Sequence, residues 1–253
     1  MLRSGFIFLL ACLWSACQPS SGDQGQTARE VITPVATMRI DSTLASFVSN
    51  ERAAGVSALI YEQGREAYYG AFGFADREAE VPMQRNTIVQ VWSMTKPVTA
   101  AALMALHEEG AFALDDPVEQ YLPEFEQLEV YDGLDPDGSI RTIPTRRKMT
   151  IADLTRHTAG FCNNKNVPGL SELIAAIDPR SWERTLDDMV AQFAAIPLWT
   201  HPGDRWEYGP GMDIEAALIQ RISGVPYHQF LQERILSPLG LDEVRYFVPE
   251  TER

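Results

Sequence analysis

From Pro97 to Leu106 the chain is apolar on nearly every side of a helical projection, and a helix of that kind belongs in a protein interior. It opens on Ser93-Met-Thr-Lys96, so a serine and a lysine three residues apart share one face at the head of a buried helix. Serine is a weak nucleophile and needs a base to take its proton. A lysine drawn out of water loses solvation, and its neutral amine becomes accessible. The N–H groups of a helix N-terminus can stabilise a developing oxyanion. With 14 serines and three lysines (Lys96, Lys148 and Lys165), chance spacing supplies about 0.17 such pairs. The tetrapeptide alone therefore discriminates little. Its place before an all-apolar helix, where a solvated lysine would not sit, strengthens it. Gly110 reads as the C-terminal stop.

The chain has 253 residues, room for one sizeable domain or two small ones, and 45% of them are hydrophobic, so a packed core is expected. A net charge of −14 argues against nucleic-acid binding, because no excess of Lys and Arg exists to neutralise phosphates. Arg3, the short apolar run Gly5 to Trp14, and Ser15-Ala16-Cys17 resemble a bacterial lipoprotein leader. The expected organisation is a leader over 1–17 with lipidation at Cys17, a polar tether over 18–36, and one folded domain over 37–253. Cleavage before Cys12, or as an ordinary signal peptide, is the alternative. The protein is thus expected to be exported, periplasmic and lipid-anchored to the membrane. Inside the domain Cys162 stands alone and reads as a small buried hydrophobe. His107, His157, His201 and His228 are scattered, so no metal site is expected, and no motif in the sequence calls for a cofactor.

Ile40, Leu44, Phe47 and Val48 fall on one helical face and predict a helix over 37–54. Val56 to Tyr61 and Ala67 to Phe72, joined by Glu62-Gln-Gly-Arg65, predict a hairpin. Residues 115–149, rich in Pro, Asp and Gly, predict an irregular, partly extended excursion. Thr150 with Asp153 and Thr185 with Asp188 predict capped helix starts. Asp213 is expected to cap a third helix, and Pro226 to occupy the first position of a fourth.

The stretch Val91-Trp-Ser-Met-Thr-Lys-Pro-Val-Thr-Ala100 resembles the nucleophile segment of the serine β-lactamase and penicillin-binding-protein superfamily. Gly110 to Phe125, Thr150 to Phe161, Pro202 to Tyr208 and Ile235 to Val248 resemble it too, in order, over about residues 40–250. The likeness is to class C β-lactamases, their esterase relatives and D-amino-acid peptidases. It implies an α/β (α+β) fold of the β-lactamase/transpeptidase type, a helical region plus an antiparallel sheet. It also implies an acyl-enzyme on Ser93, activation by Lys96, and proton shuttling by Tyr208, which matches the tyrosine of a Tyr-x-Asn motif. The plainer alternative for Tyr208 is a packing aromatic beside Trp206.

Two departures follow from that resemblance. Pro210 stands where the motif has asparagine, so no side-chain amide is available there. No Lys-Thr-Gly or His-Thr-Gly follows Tyr208. The C-terminal sheet strands are therefore expected to be lacking, which would leave the hairpin with an open edge and the chain weakly active or inactive. The expected substrates are small-molecule esters, amides or peptides, with carboxylesterase action ahead of D-amino-acid peptidase and β-lactamase action. A non-catalytic, envelope-tethered binding module and an inactive fragment are the alternatives. His157-Thr-Ala-Gly160 reads as a structural turn, and Trp92 as a cleft or packing residue.

Overall fold

The computed structural model describes residues 32–163 and 166–245. The leader, Cys17 and most of the tether lie outside them. The chain divides into two compact units, Met1–Gln90 and Val91–Arg253.

In the first unit, α1 spans Pro34–Ser49, earlier at both ends than the predicted 37–54. The side chain of Thr33 caps it by accepting from the Ala36 N–H at 3.2 Å, and Pro34 stands in the first turn with φ already suited to a helix. Residues 34–36 therefore belong to the helix and not to the tether. The helix stops at Asn50 because Glu51 turns left-handed, at φ 56°. β1 (Gly55–Glu62) and β2 (Arg65–Asp76) form the expected hairpin, longer than predicted. Its two-residue turn needs positive φ at both central positions, which Gln63 (49°) and Gly64 (74°) adopt. β3 (Val81–Pro82) pairs with the far side of β2, so the order is β1-β2-β3 and β1 is an edge strand. α1 lies on this sheet, where the Tyr68 hydroxyl donates to Asp41 at 2.6 Å. Leu59 and Tyr61 are exposed along β1.

The second unit is built around α2 (Thr95–Glu108) and α6 (Gly211–Ser223), which pack together. Ala102, Leu103 and Leu106 of α2 face Ile214, Leu218 and Ile219 of α6 in one core. Buried Thr99 satisfies its hydroxyl with the Thr95 carbonyl and the Tyr227 hydroxyl. The stretch 115–149 is more ordered than its composition predicted. Two short 3₁₀ turns lead into an antiparallel pair, β4 (Glu129–Leu134) and β5 (Ile140–Pro144). β4 is held at its other side by backbone bonds between Tyr131 and Leu198 (2.7 Å) and between Leu198 and Glu129 (2.8 Å).

The capping boxes of α3 (Ile151–Thr155) and α5 (Leu186–Ala194) form as the sequence indicates. α4 (Leu170–Ile177) lies between them. Two expectations need correction. α6 begins at Gly211, after Pro210, and Asp213 sits inside the first turn instead of capping it. Pro210 takes the cap position at φ −76° and ψ 13°, with no side-chain cap bond, and Gly211 after it packs closely, since a Cβ there would lie 2.6 Å from the Leu154 carbonyl oxygen. α7 (Tyr227–Leu231) likewise starts after Pro226, whose extended ψ of 135° places it at the cap.

Candidate active site

Ser93 stands in a single 3₁₀ turn, Trp92–Met94, that feeds directly into α2. Trp92 before it has φ 47°, a left-handed conformation that is strained for so large a side chain, and it is 80% exposed. The bend presents the serine at the head of the helix. Lys96 lies one turn on and is half-buried. Its Nζ donates to Ser93 Oγ at 3.3 Å. Tyr208, 115 residues away in sequence, brings its hydroxyl to 2.8 Å from the same Oγ. The lysine Nζ also lies 4.7 Å from the centre of the tyrosine ring. The three residues singled out in the sequence thus meet at one oxygen.

Lys96 draws the Tyr208 phenol below its ordinary pKa, and the hydrogen bond with Ser93 adds to the effect. A phenol so placed beside a serine hydroxyl can exchange a proton with it at a pH where an isolated tyrosine would not. α2 begins at Thr95, two residues after Ser93, so the serine stands at the positive end of the helix.

Tyr208 is held by a turn that sequence reasoning assigned only a structural role. His157 has φ 57°, and its carbonyl accepts from the Glu207 N–H at 2.8 Å. Its ring lies 5.0 Å from that of Tyr208, tilted by 33°, and meets Trp206 edge-on at 6.1 Å. Its Nδ1 is buried and unpaired among the described residues. Burial, and then the nearby Lys96, hold the imidazole pKa below its ordinary value, so at neutral pH His157 is an uncharged platform. Gly160 closes the turn at φ 94°, where a Cβ would lie 2.2 Å from the Thr200 carbonyl oxygen. The signal that could have marked His157 was its place after a capped helix. Its neighbours were set by the fold.

Two carboxyls of α6 were also missed. Burial pushes the Asp213 pKa up, against the pull of Arg180 and Lys96. Glu215 is only 4% exposed. Burial, and then Asp213, raise its pKa to about 7. A carboxyl whose folded-state pKa exceeds its unfolded value of about 4.5 keeps its proton in the fold after the unfolded chain has lost it. Stability is therefore full below the unfolded value and falls as pH rises to about 7. Glu215→Gln should stabilise the chain at pH 8 by about 2–3 kcal/mol and give no gain near pH 4. Urea unfolding of both proteins at the two pH values measures this, and equal pH slopes would refute it. Among the described residues, no group of three or more His, Cys, Asp and Glu is arranged to hold a metal ion.

Residues 40–253 match the family model described as Beta-lactamase. The chain belongs to the Beta-lactamase family. It is 35% identical over 196 residues to Protein Rv1367c of Mycobacterium tuberculosis, covering 77% of this chain and 48% of that protein. It is 30% identical over 220 residues to Esterase EstB of Burkholderia gladioli, covering 85% and 53%. Simvastatin Synthase (LovD) from Aspergillus terreus, unliganded, superposes with a TM-score of 0.69 at 27% identity, covering 81% of this chain and 53% of that structure. The chain therefore spans about half the length of these relatives. The fold is of the β-lactamase/transpeptidase type, with helices and antiparallel sheets.

Proposed function

We propose that this member of the Beta-lactamase family is an acyl-serine hydrolase whose substrates are carboxylic esters. One observation carries the reading: Ser93 Oγ lies within hydrogen-bonding reach of both Tyr208 Oη (2.8 Å) and Lys96 Nζ (3.3 Å). In the proposed reaction Tyr208 takes the Ser93 proton as Oγ attacks the ester carbonyl. The positive end of α2 favours the tetrahedral oxyanion that forms. Tyr208 returns the proton to the departing alcohol, leaving an acyl-serine. Water, deprotonated by the same phenolate, then attacks the acyl-serine, and Tyr208 passes that proton to Ser93 Oγ as the acid leaves. Lys96 keeps the phenol acidic enough for both halves.

Esters are favoured over amides because an alkoxide leaves more readily than an amide nitrogen, and because Pro210 offers no side-chain amide to hold an acylamino group. A relative named as an esterase is in keeping with this choice. The test is covalent labelling of the 253-residue chain by a fluorophosphonate, located by peptide mass spectrometry. Label on the peptide containing Ser93, absent from Ser93→Ala, is the expected result. A folded chain that takes no label, or takes it at another serine, would defeat the reading.

A further inference from the structure

Next to the loop that carries Tyr208 lies a half-open cavity of about 500 Å³, within the roughly 300–1,000 Å³ of small-molecule sites. Pro210, two residues after Tyr208, forms part of its wall with Cys162, Ile174, Ala175, Pro179 and Phe193. Cys162 and Phe193 are buried in the core, so this wall is backed by packed side chains. Pro179 and Pro210 have no N–H, so the wall cannot donate a backbone hydrogen bond at either position. Among the described residues, the charged side chains lining the cavity are Glu172, Asp178 and Arg180. Two carboxylates against one guanidinium give these described side chains a net negative charge, which disfavours a carboxylate on the ligand.

We propose that this cavity receives an uncharged hydrocarbon arm of the substrate ester. The assignment deepens the Ser93 reading and rests on it. A carbonyl under attack at Ser93 would sit beside Tyr208, and Pro210, two residues further along the same loop, lines the cavity. Methylenes then leave water for an apolar wall, and each one buried is worth about fourfold in the specificity constant. The arm can be the acyl chain or the alcohol chain, and these two sources are separable by experiment.

Ala175 is exposed on α4, so Ala175→Trp fills the opening without disturbing the core. p-Nitrophenyl acetate, butyrate and hexanoate vary the acyl arm, and ethyl, butyl and hexyl acetates vary the alcohol arm. In the natural chain one series should accelerate by about fourfold per methylene until the cavity is filled. In Ala175→Trp that series should flatten, with the six-carbon member slowed at least tenfold and the two-carbon member unchanged. The series that flattens identifies the arm. Unchanged length dependence in both series, or faster reaction with a half-ester of succinate than with the neutral ester of equal length, would overturn the proposal. Failure of fluorophosphonate labelling would strike the Ser93 reading instead. The cavity is then read by binding: 1-hexanol should raise the melting temperature of the natural chain and not of Ala175→Trp, and equal shifts would overturn it.

Discussion

Lys96→Ala should slow acylation of Ser93 by about a thousandfold at pH 7 and leave the fold standing. A positioned proton-transfer group contributes on the order of 10²–10⁴ in rate, and here one lysine serves two atoms. It donates to Ser93 Oγ at 3.3 Å and lies 4.7 Å from the centre of the Tyr208 ring. The fold should tolerate the change, because Lys96 makes no salt bridge among the described residues and alanine favours a helix. The pH profile separates the lysine's two services. Acylation should rise with pH as the Tyr208 phenol loses its proton, and then level off. Lys96 holds that pKa below its ordinary value of 10, so its removal should move the rising limb to higher pH. Tyr208→Phe should abolish the limb and slow acylation by about 10²–10⁴. Stopped-flow rates of p-nitrophenolate release between pH 6 and 10 would show both effects. Rates within threefold of the natural chain in both variants would place the chemistry elsewhere.

The parts of the site legible in the sequence are those whose geometry is local. Ser93 and Lys96 meet because three residues make about one turn at the head of α2, and the same spacing makes the Thr150–Asp153 and Thr185–Asp188 boxes readable. Tyr208 was reached through its place in a motif, since no local rule joins residues 115 apart. His157 and Asp213 were given only structural roles, and Glu215 none, for a related reason. A histidine becomes a platform for Tyr208 only once its carbonyl binds the Glu207 N–H, and Glu215 becomes a buried acid only once α6 is packed among its neighbouring helices.

The hairpin of β4 and β5 was hidden by Asp132, Gly133 and the Asp135–Gly138 turn, whose composition looks like loop although Val130 is pinned between Ile143 and Leu198. The start of α6 was placed wrongly because Asp213 has the composition of a cap. Pro210 holds the cap position instead, and Gly211 after it packs against the Leu154 carbonyl, a tertiary contact that composition does not show.

The largest loss of stability is expected at Asp153, a residue on no catalytic path. It is 5% exposed and accepts from Arg147 at 2.6 and 2.8 Å, from the Thr150 N–H and hydroxyl at 3.0 and 2.9 Å, and from the Thr158 hydroxyl at 3.1 Å. Asp153→Ala removes all five and opens the capping box of α3. Breaking a buried, hydrogen-bonded charge pair costs about 3–5 kcal/mol. Arg147 is partly exposed and can regain water, so the lower end, about 3 kcal/mol, is expected here. For a chain of this size that corresponds to a fall of about 6–12 °C in melting temperature.

Burial pushes the Asp153 carboxyl up, but the hydrogen bonds from Arg147 and Thr150 outweigh it and leave its pKa below the ordinary value. A depressed carboxylate contributes stability that is complete above the unfolded pKa of about 3.9 and is lost as pH falls through the folded value. The deficit of the variant should therefore be full at pH 7 and shrink in acid below pH 4. The same residue fixes the turn behind Tyr208, because Thr158 binds both its side chain and its carbonyl, the latter at 2.8 Å, immediately after His157. Asp153→Ala should thus also slow acylation under conditions where the variant is still folded. Asp153→Asn, which keeps an acceptor for Thr150 and loses only the charge, should recover part of both losses. If the alanine variant melts within 2 °C of the natural chain at pH 7, the hub at Asp153 does not hold the turn that positions Tyr208.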